Sequence, residues 1–88
     1  MTRRFLVRGR VQGVGFRYFV ERQAARLAVS GWVRNTVDGS VEAVAAGSPE
    51  VLGEFEEVLR RGPQLSFVES VSVESAQDVD IRGFEVRR

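Results

Sequence analysis

The stretch "GWVRNTVDGSVE", residues 31–42, decides the fold. Trp32 to Val37 reads as a strand, and Asp38-Gly39 reads as a type I′ hairpin turn, because both residues tolerate positive φ. Val41 to Ala46 is then the returning strand. A hairpin in mid-chain makes two antiparallel neighbours, so what flanks it determines the architecture.

Upstream, Phe16, Phe19, Val20, Ala24, Leu27 and Ala28 fall on one helical stripe, with Glu21, Arg22, Ala25 and Arg26 opposite. Ser30-Gly31 is the expected stop of this helix. Further upstream, Phe5, Val7 and Val11 alternate with Arg4, Arg8 and Arg10 as in a half-buried strand. Downstream, Ser48-Pro49-Glu50 is a helix start, with a capping hydroxyl, a proline at the first helical position and an acid at the positive end of the dipole. Val51, Leu52, Phe55, Val58 and Leu59 form its apolar stripe, and Gly62-Pro63 ends it. Phe67 to Glu74 alternates again, and Gly83 to Arg87 predicts a short terminal strand. The order β-α-β-β-α-β predicts a ferredoxin-like α+β sandwich: an antiparallel sheet, two helices on one face and a short C-terminal strand. Right-handed crossovers place both helices on the same face. Residues 1–88 are expected to form a single domain. A chain of this size buries roughly 60–65% of its unfolded surface, enough for a core without staples.

The chain contains neither cysteine nor histidine. Disulfide scaffolds, Cys/His zinc sites, cysteine nucleophiles and histidine triads are thereby excluded. Eight arginines precede Asp38 against Glu21 alone, whereas five arginines face eleven acids from Asp38 onward. This polarity points to an anionic ligand near the N-terminal half. Thr2, Arg3 and Arg4 lead directly into an alternating segment, so no signal peptide is expected. With no apolar run of membrane length either, a cytoplasmic protein that does not engage a membrane is expected.

The chemistry-bearing candidates lie in two places. In "GRVQGVGFR", residues 9–17, Gln12-Gly13-Val14-Gly15-Phe16 joins a strand to a helix, and Arg17 occupies the first helical turn. Glycines let successive N–H groups turn inward, and a helix N-terminus adds unpaired N–H groups with a positive partial charge. A guanidinium leaning back over the loop completes a match to a phosphoryl group. A tight βα turn with Arg17 paired to a carboxylate or to water fits the same residues. Asn35 is an amide at a strand position that favours Val or Ile. It is open to two readings, a hydrogen bond supporting the hairpin or a functional role. Arg34 and Thr36 read as solvated strand residues. For Tyr18 and Trp32, packing is a simpler reading than a place beside a substrate.

Taken together, residues 9–17 resemble the phosphate-binding signature of the acylphosphatase family, and residues 31–42 resemble its second signature. The ending "GFEVRR", residues 83–88, is similar to the family's C-terminal strand. The resemblance spans nearly the whole chain, and Gln64 to Ile81 carries no functional signature. It implies hydrolysis of the carboxyl–phosphate bond of small-molecule acyl phosphates, releasing a carboxylate and inorganic phosphate, without metal or cofactor. By position, Arg17 would hold the phosphate with the amides of Gln12, Gly13, Val14, Gly15, Phe16 and Arg17, and Asn35 would orient the attacking water. A closed sandwich leaves the monomer as the expected state. The first rival is a non-catalytic phosphate-binding module; acylphosphatase-like domains also occur inside larger proteins that mature hydrogenases by carbamoyl transfer. The second is an RNA-binding domain, which would need aromatic rings on the open face of the central strands, and "SVEAVAAG" supplies none. No nucleic-acid partner is therefore expected.

Overall fold

Alternating apolar residues make the first strand, and their spacing carries through to the core. A computed structural model describes residues 1–88 as β1 (Thr2–Arg10), α1 (Phe16–Leu27), β2 (Ser30–Asn35), β3 (Val41–Ala46), α2 (Pro49–Arg61), β4 (Phe67–Ser75) and β5 (Phe84–Arg87). The sheet order is β4-β1-β3-β2-β5. The first four strands pair antiparallel, with Phe5 opposite Ala43 and Val7 opposite both Val41 and Val71. These are the expected ferredoxin-like elements in the expected order. The fifth strand departs from pure antiparallel pairing: β5 runs parallel to β2, with Gly31 opposite Phe84 and Arg34 opposite Arg87.

Both helices cover one face of the sheet. Phe5, Val7, Val33, Val41, Ala43 and Ala45 from the strands meet Phe16, Val20 and Ala24 of α1 and Leu52, Phe55 and Leu59 of α2. Phe5 and Phe55 meet edge to face, with ring centroids 5.3 Å apart. Each fully buried phenylalanine contributes about 1.5–3 kcal/mol of apolar transfer. The α2 start follows its sequence signals: the Ser48 hydroxyl accepts from the Val51 N–H at 3.2 Å, and Pro49 is the first helical residue.

Two local expectations are corrected. Helix α1 ends at Leu27, ahead of Ser30-Gly31, with Ala28 in the left-handed region at φ 58°. The Val29 N–H reaches back to the Ala24 carbonyl at 3.1 Å and the Ala28 N–H to Ala25 at 3.2 Å. This is the 6→1 and 5→2 closure that turns a helix end sharply, and it buries Val29 beside Ala24. Burial of Val29 thus outweighs the strain at a residue with a Cβ. Ser30 and Gly31 are consequently free to begin β2.

The hairpin also differs. Strand β2 ends at Asn35, and Thr36 donates its N–H to the Ser40 carbonyl at 2.9 Å while Gly39 donates to Thr36 at 3.3 Å. Asp38 keeps a negative φ, and only Gly39, at φ 92°, is left-handed. A three-residue loop closed by a left-handed glycine replaces the type I′ turn. The Asp38 carboxylate explains the choice: it accepts from the Thr36 hydroxyl and from the Ser40 N–H, a local bond that the two-residue turn would not form. Those hydrogen bonds, Thr36 first, hold the Asp38 carboxyl below the usual aspartate range.

On the open face, Glu42 is buried between Arg4 and Arg34, with the Arg34 Nε 2.7 Å from its carboxylate. Arg4 also reaches Glu74 at 2.9 Å. Trp32 lies beneath two guanidiniums, Arg34 at 5.3 Å and Arg87 at 4.8 Å from the ring centroid. Arg34 is therefore an ion-pair partner, and Thr36 a turn former, where the sequence reading had both simply solvated. The two central strands present Arg4, Leu6 and Arg8, and Glu42 and Val44, with no aromatic ring among them. No helix is long and apolar enough to cross a membrane.

Candidate active site

Between the end of β1 and the start of α1 the chain makes a bend that demands glycine at two places. Gly13 has φ 75° and Gly15 φ 76°. A Cβ at either would meet nothing within 4 Å, so the requirement is conformational and has nothing to do with space. Gly15 is also the N-cap of α1, and as glycine it offers no side chain to cap the helix. None of the backbone N–H groups from Gln12 to Tyr18 donates to a backbone carbonyl. The loop thus carries a run of donors together with the positive end of a helix dipole.

Arg17 and Asn35 meet at this loop. Val11, Gly13, Gly15, Phe16, Arg17, Tyr18 and Asn35 line one hollow of about 110 Å³. Asn35 is the last residue of β2 and is half-buried on the helix side of the sheet, the side that also carries Val33 and Val41. The hairpin's hydrogen bonds are made by Thr36, Asp38 and Ser40, and the Asn35 side chain is not among them. The turn-supporting reading of Asn35 is thereby set aside.

Two anchors fix the geometry, and sequence reasoning missed both. The Gln12 side-chain amide donates to the Thr36 and Ser40 carbonyls, each at 2.8 Å, and staples the glycine loop to the hairpin that carries Asn35. By sequence alone Gln12 offers the loop only its backbone N–H. The Arg17 Nη1 donates to the Arg87 carbonyl at 2.9 Å, which ties the guanidinium to the end of β5 and leaves its other donors for a ligand. A glutamine opening a glycine loop was visible in the sequence, but its partners were not. Val14 packs against the core, and Phe16 is buried where it lines the hollow, so both side chains are engaged in packing.

A larger hollow of about 630 Å³ lies along α1 beside β5, lined chiefly by Ala24, Ala25, Ala28, Val29 and Phe84. Its lining includes neither Arg17 nor Asn35, and it has no run of open backbone N–H groups like that of the loop. No three His, Cys, Asp or Glu side chains gather anywhere as a metal-ligating group.

A run of free amides, a guanidinium and an unpaired carboxamide around a hollow of this size are what a tetrahedral anion and a water require. Comparison with known proteins gives the family. The acylphosphatase family model matches residues 3–86. An acylphosphatase from Koribacter versatilis is 48% identical over 86 residues, covering 97% of this chain and 78% of the relative. The crystal structure of an acylphosphatase from Bacillus subtilis superposes with a TM-score of 0.93 at 39% identity, covering 99% of this chain and 98% of that one. The structure of HypF from T. kodakarensis matches at TM-score 0.86 and 31% identity, with all of this chain covering 12% of that longer one. The chain belongs to the acylphosphatase family.

Proposed function

We propose that Arg17, the loop amides from Gln12 to Arg17, and Asn35 carry out acyl phosphate hydrolysis in this enzyme, within a single domain of residues 1–88. The observation that supports the reading is the shared hollow in which Arg17, Asn35 and the open amides converge. The leaving group is a carboxylate, stable as an anion at neutral pH, so no general acid has to protonate it. What remains is to hold the phosphoryl group in line with a water and to stabilise the charge moving among its oxygens.

Arg17 and the amides do the second task, and Asn35 does the first by accepting a hydrogen bond from the attacking water. The water oxygen forms the new bond to phosphorus as the bond between phosphorus and the acyl oxygen breaks. The bonding pair leaves with the carboxylate, and the water's proton passes to a phosphoryl oxygen, since Asn35 cannot act as a base. The enzyme acts as a cytoplasmic monomer in this reading.

Turnover of acetyl and benzoyl phosphate by the purified protein tests it. We expect release of inorganic phosphate, undiminished in excess EDTA because Arg17 and the amides supply the positive field. Phosphate binding without turnover would establish the binding-module alternative, and a need for Mg²⁺ would overturn the metal-free mechanism.

A further inference from the structure

The phosphoryl end of the substrate has its residues, but the acyl end does not. The hollow of about 110 Å³ is small and open at one side. The proposed function places a phosphoryl group and one water in it. The acyl group must therefore lie at the mouth, against whatever side chain stands exposed there.

Among the lining residues only one fits. Val11 and Phe16 are 1% and 2% exposed and face the core. Gly13 and Gly15 have no side chains, and Arg17 and Asn35 are assigned to the phosphoryl group and the water. Tyr18 remains, 56% exposed. Neither a ring pair nor a cation contact accounts for it. The ring pairs of the protein are Phe5–Phe55, Phe16–Phe19 and Phe55–Phe84, and the rings facing cations are both Trp32 contacts, so Tyr18 takes part in none. Its hydroxyl has no hydrogen-bond partner within the protein. A large aromatic side chain that is half out in water, with no ring, cation or hydrogen-bond partner, beside an anion cradle is placed to meet a ligand. Its position in the first turn of α1 supports this, because helical side chains lean toward the N-terminus and hence over the loop.

We infer that Tyr18 is the acyl-side contact of the enzyme and that it favours aromatic acyl phosphates over acetyl or carbamoyl phosphate. The inference rests on the assignment of the hollow to the phosphoryl group. An offset-stacked or edge-on ring contact corresponds to a preference of about 2- to 12-fold. Tyr18→Phe keeps the ring and Tyr18→Ala removes it.

The test compares kcat/KM for benzoyl and acetyl phosphate in the wild type and both variants. Calorimetric binding of benzoylphosphonate and acetylphosphonate, whose P–C bond resists hydrolysis, adds a readout free of turnover. Tyr18→Ala is expected to lower the benzoyl-to-acetyl ratio by about 2- to 12-fold in both measurements. Tyr18→Phe should retain the ratio, and inhibition by inorganic phosphate should stay unchanged in both variants. An unchanged ratio in Tyr18→Ala, or an equal loss for both ligands, overturns the inference. Absence of turnover in the wild type would instead overturn the hydrolytic reading, while the phosphonate ratio would still decide the role of Tyr18.

Discussion

In the proposed mechanism Arg17 and Asn35 contribute through different physics, and their variants should separate accordingly. Arg17→Ala removes charge that stabilises the transition state and also holds the ground state. A loss of roughly 10²–10³-fold in kcat/KM is expected, with much weaker inhibition by phosphate. Asn35→Ala displaces the water and leaves the cradle alone, so kcat should fall by about 10²-fold while phosphate inhibition barely changes. Near-normal turnover in the Asn35 variant would remove its assigned role. Both stand out in the sequence as candidates, because each is a chemically conspicuous type at an anomalous place: a guanidinium after a glycine loop and an amide within a strand. The side chain of Gln12 was not legible. Its acceptors are the carbonyls of Thr36 and Ser40, 24 and 28 residues further along the chain, and no local pattern announces them.

At the scale of the element, the glycine loop, the capped start of α2 and the alternating strands behaved as local chemistry dictates. The end of α1 did not. A left-handed Ala28 costs about 1–2 kcal/mol relative to a relaxed backbone, and the structure tolerates this to bury Val29. Ala28→Gly relieves that strain at the expense of extra freedom in the unfolded chain. A net gain of about 0.5–1 kcal/mol should follow, measured as a higher urea midpoint at unchanged m. A lower midpoint would mean that Ala28 has packing of its own. The expected stop at Ser30-Gly31 failed because stop signals describe helix ends in solution, whereas this one is set by a buried valine. The hairpin misreading has a related origin: Asp-Gly favours a two-residue turn, but the hydrogen bonds that Asp38 accepts from Thr36 and Ser40 select the longer one.

The whole molecule adds a charge arrangement on the sheet face remote from the helices. Burial pushes the Glu42 carboxyl up, but the hydrogen bonds from Arg4 and Arg34 outweigh this and hold it below the ordinary value of 4.5. Arg4 is correspondingly raised, chiefly by its hydrogen bond to Glu42. Because the folded pKa of Glu42 is depressed, its contribution is complete above about pH 4.5 and disappears as pH falls through the folded-state value. Glu42→Gln should therefore cost about 1–2 kcal/mol at neutral pH, less than for a fully buried pair because both arginines are partly exposed. It should also flatten the acid limb of a stability-versus-pH series; an acid limb as steep as in the wild type would place the titrating group elsewhere. By itself the sequence determined the kinds of element, their order and the two motifs, because periodicity, caps and glycine loops act over a few neighbouring residues. Only the tertiary structure decided that β5 lies parallel to β2, which brings the Arg87 carbonyl onto Arg17, that Gln12 joins loop to hairpin, and that Arg17 and Asn35 share one hollow. Those contacts join residues far apart in the chain, and they exist only once sheet order and burial have fixed which distant strands become neighbours.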